Sequence, residues 1–474
     1  MSLITYEWKL LRSGYGFTIA IVFFAIIGIY GIWTGVSWSQ FQKQAIDTAH
    51  EVETKTFLDL RQTAEQQEEG TALDPVDISY AVNPGMIGLF YSRPAYMPPT
   101  LLAATSIGQS DVYPYLFDVT AHRKDAFLHQ EEMDNPVNLL LGRFDLAFVI
   151  VYLMPLLIIG LTFNVISGER ERNTWKLLLS QPFSIYRLLG IKLLLRGLSV
   201  MCVIIPLFMA VVGMQDANVP LAMVGIWILS IFTYLFFWLL LSLVVNTYNN
   251  SSSSSNALVL VCIWIILVLV IPASIHLVAD SLHPVPSRSH LIEETRQIET
   301  EVRVDPAGLL EDWYRENPGK RPEDFDPNRY NFPLFWMAIQ REVDRLMEPV
   351  VDEYDRALNS QYRFVNAARI LSPAVLMQDV LNELAGSGYS RYQHFMAQVE
   401  NFHHEHINYF APRTYAHEQL QVSDYSNLPR FEYEAEPTRL PVLRAITASS
   451  GILAWFLILL FSGMFTIRRL HSIE

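Results

Sequence analysis

Stretches with almost no charged residue alternate with strongly polar ones along the chain, and the lengths of the apolar stretches give the first prediction. A helix rises 1.5 Å per residue, so about 20 apolar residues cross a hydrocarbon layer about 30 Å thick. Six runs meet that requirement, at 17–38, 146–166, 193–212, 221–245, 258–278 and 446–467. The unbroken run from Leu258 to Ile271 does not fit an amphipathic surface helix, whose apolar stripe is interrupted by polar residues every two or three positions. The first run is too long for the apolar part of a cleaved leader and lacks a small-x-small site after it, so it reads as a retained signal anchor. The expected fold class is an all-α polytopic membrane protein with six transmembrane helices.

The polar stretches divide the rest into an amphipathic entry segment (1–16), a first insertion (39–143), a loop (167–192), a turn (246–257), a second insertion (280–445) and a tail (468–474). From Ser37 to Gln67 there is neither Gly nor Pro, which predicts a helical stalk continuing the first span. Residues 74–114 are rich in Pro, Gly and Tyr and read as loop. In the second insertion, apolar residues at helical spacing over 334–358 and 395–402, with Pro-rich breaks at 282–286 and 317–333, predict a mainly helical domain.

Composition agrees, with 51% hydrophobic and only 17% charged residues. Both cysteines, Cys202 and Cys262, fall inside apolar runs, so no disulfide staples the insertions and each is expected to have a core of its own. A net charge of −14 argues against a nucleic-acid partner. The placement of charge says more. Lys9 and Arg12 precede the first span, Arg170, Arg172, Lys176, Arg187 and Lys192 follow the second, and Arg468 and Arg469 follow the last. Lys and Arg near span ends tend to stay cytoplasmic. Both termini are therefore predicted to be cytoplasmic and both insertions extracytoplasmic, in a bacterial cytoplasmic membrane. The insertions carry 15 acidic against 7 basic and 27 acidic against 17 basic residues, so the acidity of the chain belongs to them.

Asp145, Arg196 and His276 lie near span ends, within reach of headgroups or water. An ion-coupled transporter uses a carboxylate, His or unwound helix near the bilayer midplane. With no such site near the middle of any of the six runs, the energy for any transport is expected from elsewhere.

The loop after the second span reads Ser167-Gly168-Glu169-Arg170-Glu171-Arg172-Asn173-Thr174-Trp175-Lys176-Leu177-Leu178-Leu179-Ser180-Gln181-Pro182, and Gly190-Ile191-Lys192 leads into the third. Physically this suits a short helix lying across the membrane face, capped by Thr174, burying its leucines on one side and ended by Pro182. The sequence here resembles the ABC-2 permease family, with its E-R-E-x-G-T-x-x-x-L-L-S-x-P pattern and a following G-x-K. Asn173 stands where Gly is usual, and Asn also tolerates a left-handed backbone. The resemblance implies that Glu169, Arg170, Glu171, Arg172, Thr174, Leu177, Leu178 and Pro182 couple the spans to a separate ABC ATPase subunit, and that two permease copies or paralogues pair. Gly108-Gln109-Ser110-Asp111-Val112-Tyr113-Pro114-Tyr115, Asn135-Pro136, Gly142-Arg143-Phe144-Asp145, Leu371-Ser372-Pro373-Ala374 and Leu384-Ala385-Gly386 are similar to a subgroup in which large domains of unknown function interrupt this core.

Nothing in the chain matches G-x-x-x-x-G-K-[ST]; Asn317-Pro318-Gly319-Lys320 lacks both the leading Gly and the following Ser or Thr. The chain is therefore expected to be no enzyme itself and to need no cofactor. His403-His404-Glu405-His406 is the one other cluster with ligand chemistry; His403 and His406 share a helix face and are weak metal candidates, but a solvated helix end is the simpler reading. The Asn249–Asn256 region with its serines reads as a polar turn. Three functions remain in view: a permease exporting or extracting an amphiphilic or peptide-like substrate, a subunit transmitting the ATP cycle to an extracytoplasmic partner without solute transport, and a membrane-anchored metalloenzyme.

Overall fold

The computed structural model describes residues 3–71, 74–122, 144–181, 184–214, 219–248, 252–323, 325–326, 329 and 331–473. Six of its helices are long and apolar enough to cross a membrane: Tyr15–Glu68, Leu146–Glu171, Ile185–Gly213, Leu221–Tyr248, Ser253–Leu282 and Arg439–Met464, here spans 1 to 6. The chain is a multi-pass, almost wholly helical membrane protein.

Span 4 is the centre of the bundle. Its Trp227, Tyr234 and Trp238 are wholly buried, and Phe208 of span 3 stacks on Trp227 with ring centroids 3.7 Å apart. Ser230 and Ser449 join spans 4 and 6 through hydroxyls 2.7 Å apart. Span 1 approaches by backbone: a Cβ on Gly31 would meet the main chain of Asp145, and one on Gly35 would meet the carbonyl of Ala104. Two spans contain a π turn, Val149–Leu153 in span 2 and Ile266–Val270 in span 5. In each, a proline (Pro155, Pro272) follows two residues beyond the turn, and because proline has no N–H a carbonyl one turn back loses its partner. Side chains from elsewhere fill the gap. The Tyr234 hydroxyl donates to the Val151 carbonyl at 2.9 Å, and the Ser372 hydroxyl donates to that of Leu267 at 2.6 Å.

Both insertions leave the bundle at one end and fold together. Span 1 runs without a break into the stalk over 54 residues, as the absence of Gly and Pro predicted. The stretch read as loop holds two short helices, Pro75–Val82 and Pro84–Phe90, each opened by a capping Asp74 or Asn83. Strands Arg93–Tyr96 and Leu116–Val119 then pair antiparallel, a small sheet that the helical reading had not included. The second insertion is helical, built on Arg288–Val302, Pro306–Glu316, Phe332–Ala368, Pro373–Ala385 and Tyr389–Tyr415. Where separate cores were expected, the cores are shared: Ile87, Leu89 and Tyr91 pack with Leu310, Leu334 and Phe410, and Trp38, Phe117 and Val119 with Phe395 and Phe402. Tyr425 donates to the Ala81 carbonyl at 2.6 Å, and Leu420 N–H to that of Val82 at 2.8 Å.

The second insertion also enters the bundle. Helix Pro373–Ala385 buries Ala374, Met377, Val380, Leu381 and Leu384 in the same core as span 4. Its first turn sits beside Leu267, near the middle of span 5, and Trp455 in span 6 donates to the carbonyl of Ile370 at 2.8 Å. The segment around 369–385, read from sequence as part of a domain outside the spans, is packed among them. It is short of the 20-residue length that marks a span, which is why hydropathy alone does not find it.

Candidate functional site

The loop after span 2 is built on a chain of buried charge. The helix Met154–Thr162 of span 2 gives way to a turn at Phe163, the span closes with a short helix Ser167–Glu171, and a second short helix, Trp175–Leu179, follows. Between them Asn173 takes a left-handed backbone with φ 57°, the conformation that favours Gly there and that Asn tolerates. Thr174, expected to cap the helix that follows, is turned back instead: its hydroxyl donates to Glu169 Oε2 at 2.6 Å. Glu169 Oε1 in turn accepts from Lys192 Nζ at 2.8 Å. Lys192, in the second turn of span 3, is buried and also faces Glu7 Oε1 at 3.9 Å.

Glu7 is the residue that sequence reasoning missed. It lies on the entry helix Leu3–Ser13 and is buried against Lys192, although the chain around it reads only as amphipathic. Burial raises its carboxyl pKa, and the charges of Lys192 and Arg196 oppose that rise. Arg196, one helical turn beyond Lys192, donates through Nε to the Leu161 carbonyl at 2.7 Å, satisfying one of the carbonyls released where the helix Met154–Thr162 ends. The entry helix, the loop and spans 2 and 3 are thus clamped by one set of ionised groups.

A second clamp fixes span 5. Glu171 Oε1 accepts from the Ser253 backbone N–H at 2.6 Å, placing a carboxylate at the helix N-terminus, where the helix dipole favours it. Behind it Asn246 donates to the carbonyls of Ser242 at 2.9 Å and Thr162 at 3.2 Å, while its own oxygen accepts from Asn256 at 3.2 Å. Ser253 and Asn256, part of the serine-rich turn, are therefore buried structural residues. Arg170 covers Trp175, whose ring is buried. The leucines divide: Leu178 packs on the bundle core, whereas Leu177 is 63% exposed, beside exposed Arg172 and Asn173. Pro182 lies outside the described residues.

The other stretches that carried the resemblance meet at the opposite end of the bundle. Asp145 opens span 2 and accepts from Phe148 N–H and Ile107 N–H, both at 2.7 Å. Ser106 donates to Asn382 at 2.8 Å, Thr100 to the Ala385 carbonyl at 2.5 Å, and Gln109 N–H to that of Ser387 at 3.3 Å. Gly108 and Gly386 hold positive φ at this joint, where the domain is seated on the spans. Asn135–Arg143 lies outside the described residues.

The histidine cluster is not a solvated helix end. His403 and His406 are buried, whereas His404 and Glu405 are exposed. His403 Nε2 lies 2.6 Å from the His122 carbonyl, and His406 Nε2 lies 3.4 Å from that of Gly88. Burial lowers the His406 pKa to about 3. Among the described residues no group of three His, Cys, Asp or Glu side chains is placed to hold a metal ion. The pair shares a helix face as expected, but that face is spent on joining the two insertions.

Comparison with known proteins adds little chemistry. No curated protein matches the chain. A family described as a domain of unknown function (DUF3526) matches residues 288–434, the second insertion including the segment packed among the spans.

Proposed function

We propose that this chain is the membrane-spanning permease subunit of an ATP-driven transporter of the ABC-2 type, with ATP hydrolysed on a separate subunit. The observation that supports it most is the Glu169–Lys192–Glu7 network. It joins an exposed loop to the entry helix and to the second turn of span 3, while Glu171 joins the same loop to span 5. A push on the loop would be delivered at once to the entry helix, to spans 3 and 5, and to span 2, which runs into the loop. The exposed Leu177, with Arg172 and Asn173, forms the face that an ATPase would grip. In this reading both termini and the loop face the cytoplasm, the shared domain lies outside the cell's inner membrane, two permease copies or paralogues pair, and the substrate is amphiphilic or peptide-like.

The test is co-purification of an ATPase subunit with the full chain in mild detergent, comparing wild type with Leu177→Glu and Glu171→Arg. Leu177→Glu changes only the exposed face, so loss of the ATPase from this variant supports docking there. If no ATPase accompanies the wild type, the reading fails.

One observation favours a second mode of action. The helix Tyr15–Glu68 continues from span into domain over 54 residues, about 80 Å, with no break at the membrane boundary. Such a rod transmits movement of the bundle directly to the shared domain, as needed for driving an extracytoplasmic partner without solute transport.

A further inference from the structure

The helix Phe332–Ala368 changes its charge along its length. Residues 342–355 contain Glu342, Asp344, Glu348, Asp352, Glu353 and Asp355 against Arg345 alone. Residues 356–369 contain Arg356, Arg363 and Arg369 and no acid. The change falls about two turns before the helix comes level with the end of span 5, where the Phe364 ring lies 6.0 Å from that of His283, the residue that closes the span. A few residues further on, Ile370 and Leu371 are exposed at the tip that reaches Leu267 and Trp455, in the middle of spans 5 and 6. The helix therefore passes from water towards hydrocarbon near Arg363.

Arg356, Asn359, Ser360 and Arg363 recur at helical spacing on one face, and with Tyr362 they line an open hollow of about 490 Å³. Neither arginine has a carboxylate partner among the described residues. Arg356 Nε donates to the main-chain carbonyl of Asp352 at 3.0 Å, and Arg363 Nη2 to Ser360 Oγ at 3.2 Å. Arg369 differs, being paired with Asp379 at 3.2 Å. Tyr362 lies against Tyr389, with ring centroids 4.6 Å apart, which gives the hollow an aromatic wall at the depth where Tyr commonly marks a membrane interface.

We propose that Arg356 and Arg363, with the Asn359 amide between them and Tyr362 beside them, hold the phosphate of a phospholipid headgroup from the leaflet that faces the domain. A guanidinium offers paired donors that match phosphate oxygens. Between the two arginines Asn359 adds its amide NH2, its oxygen already accepting from Gln393 at 3.0 Å, while the Ser360 hydroxyl donates to the Arg356 carbonyl at 2.7 Å and helps to hold the face together. The acyl chains would run past the exposed Ile370 and Leu371. A free anion is disfavoured, because the insertion around the hollow carries 27 acidic residues against 17 basic and repels anions from solution. A membrane delivers its phosphate from below that field.

Native mass spectrometry of the full chain, released from detergent with added phosphatidylglycerol, tests this. Diacylglycerol serves as the lipid without phosphate, and inorganic phosphate as the anion without lipid. The wild type should retain phosphatidylglycerol more tightly than diacylglycerol, and Arg356→Gln/Arg363→Gln should bind it about 30-fold more weakly, as expected for losing two basic side chains at a membrane surface. Arg356→Lys/Arg363→Lys, which keeps the charge, should fall between them. Arg315→Gln, in a different helix, should leave binding unchanged. Lipid-free thermal unfolding identical to wild type confirms that the Gln variant is folded. Wild-type lipid retention by the folded Gln variant, or displacement of the lipid by an equal concentration of inorganic phosphate, would overturn the proposal.

Discussion

The hydroxyl of Ser372 donates to the carbonyl of Leu267 at 2.6 Å and accepts from the N–H of Val375 at 3.3 Å. One side chain therefore caps helix Pro373–Ala385 and also fills the gap that the π turn leaves in span 5. Near Leu267 there is no water to satisfy a released carbonyl, so the hydroxyl fixes how deep this segment of the second insertion sits among the spans.

Ser372→Ala removes both interactions. A destabilisation of roughly 2–3 kcal/mol is expected from one buried carbonyl left without a partner and one lost cap. Thermal unfolding of the full chain in detergent measures it, and Ser372→Thr, which keeps the hydroxyl, should recover most of the loss. Equal stability of the Ala variant and the wild type would show that the contact contributes nothing.

Lys192 stands between two carboxylates. Lys192→Met takes away the cation that pairs with Glu169 and faces Glu7, leaving Arg196 as the remaining positive charge near the two carboxylates, and breaking a buried pair in this way costs about 3–5 kcal/mol. Adding Glu7→Gln and Glu169→Gln to that variant should restore much of the stability, because the uncompensated charge is then gone. The comparison of single, double and triple variants by unfolding in detergent separates charge from packing.

His406 carries a pH dependence whose sign follows from burial. Its ordinary pKa of 6.5 falls to about 3 in the folded chain, so between those values the unfolded chain takes up a proton that the folded one refuses. The domain should lose stability as pH falls from about 6.5 towards 3. His406→Asn should show a flatter profile over that window, measured as unfolding midpoint against pH, at the cost of lower stability near neutrality.

Gly35 lies against the backbone of Ala104, which cannot rotate away as a side chain can. Gly35→Ala should therefore cost about 1–3 kcal/mol, and Gly35→Val more. The control is Gly160→Ala, where a Cβ meets nothing. Unfolding midpoints of the two variants in the same detergent decide the matter.

Much of this protein is written locally in its sequence. The apolar runs determine six spans because their length must match the membrane, and the stretch from Ser37 to Gln67 determines a continuous stalk because nothing in it breaks a helix. In the loop after the second span the residue pattern made the left-handed backbone at Asn173 legible, but not that Thr174 turns back to Glu169 or that Leu177 stays exposed. Tertiary structure decided what lies far apart in the chain. Glu7 reads as one more polar residue of an amphipathic helix until folding sets Lys192 beside it. His403 and His406 read as exposed until the first insertion brings the carbonyls of His122 and Gly88 to their rings. Two insertions with separate places in the sequence share cores, since neither covers its own apolar faces. Pro373–Ala385 enters the bundle although it is too short to register as a span, because its backbone groups and the carbonyl of Leu267 are satisfied by partners that only the folded chain supplies.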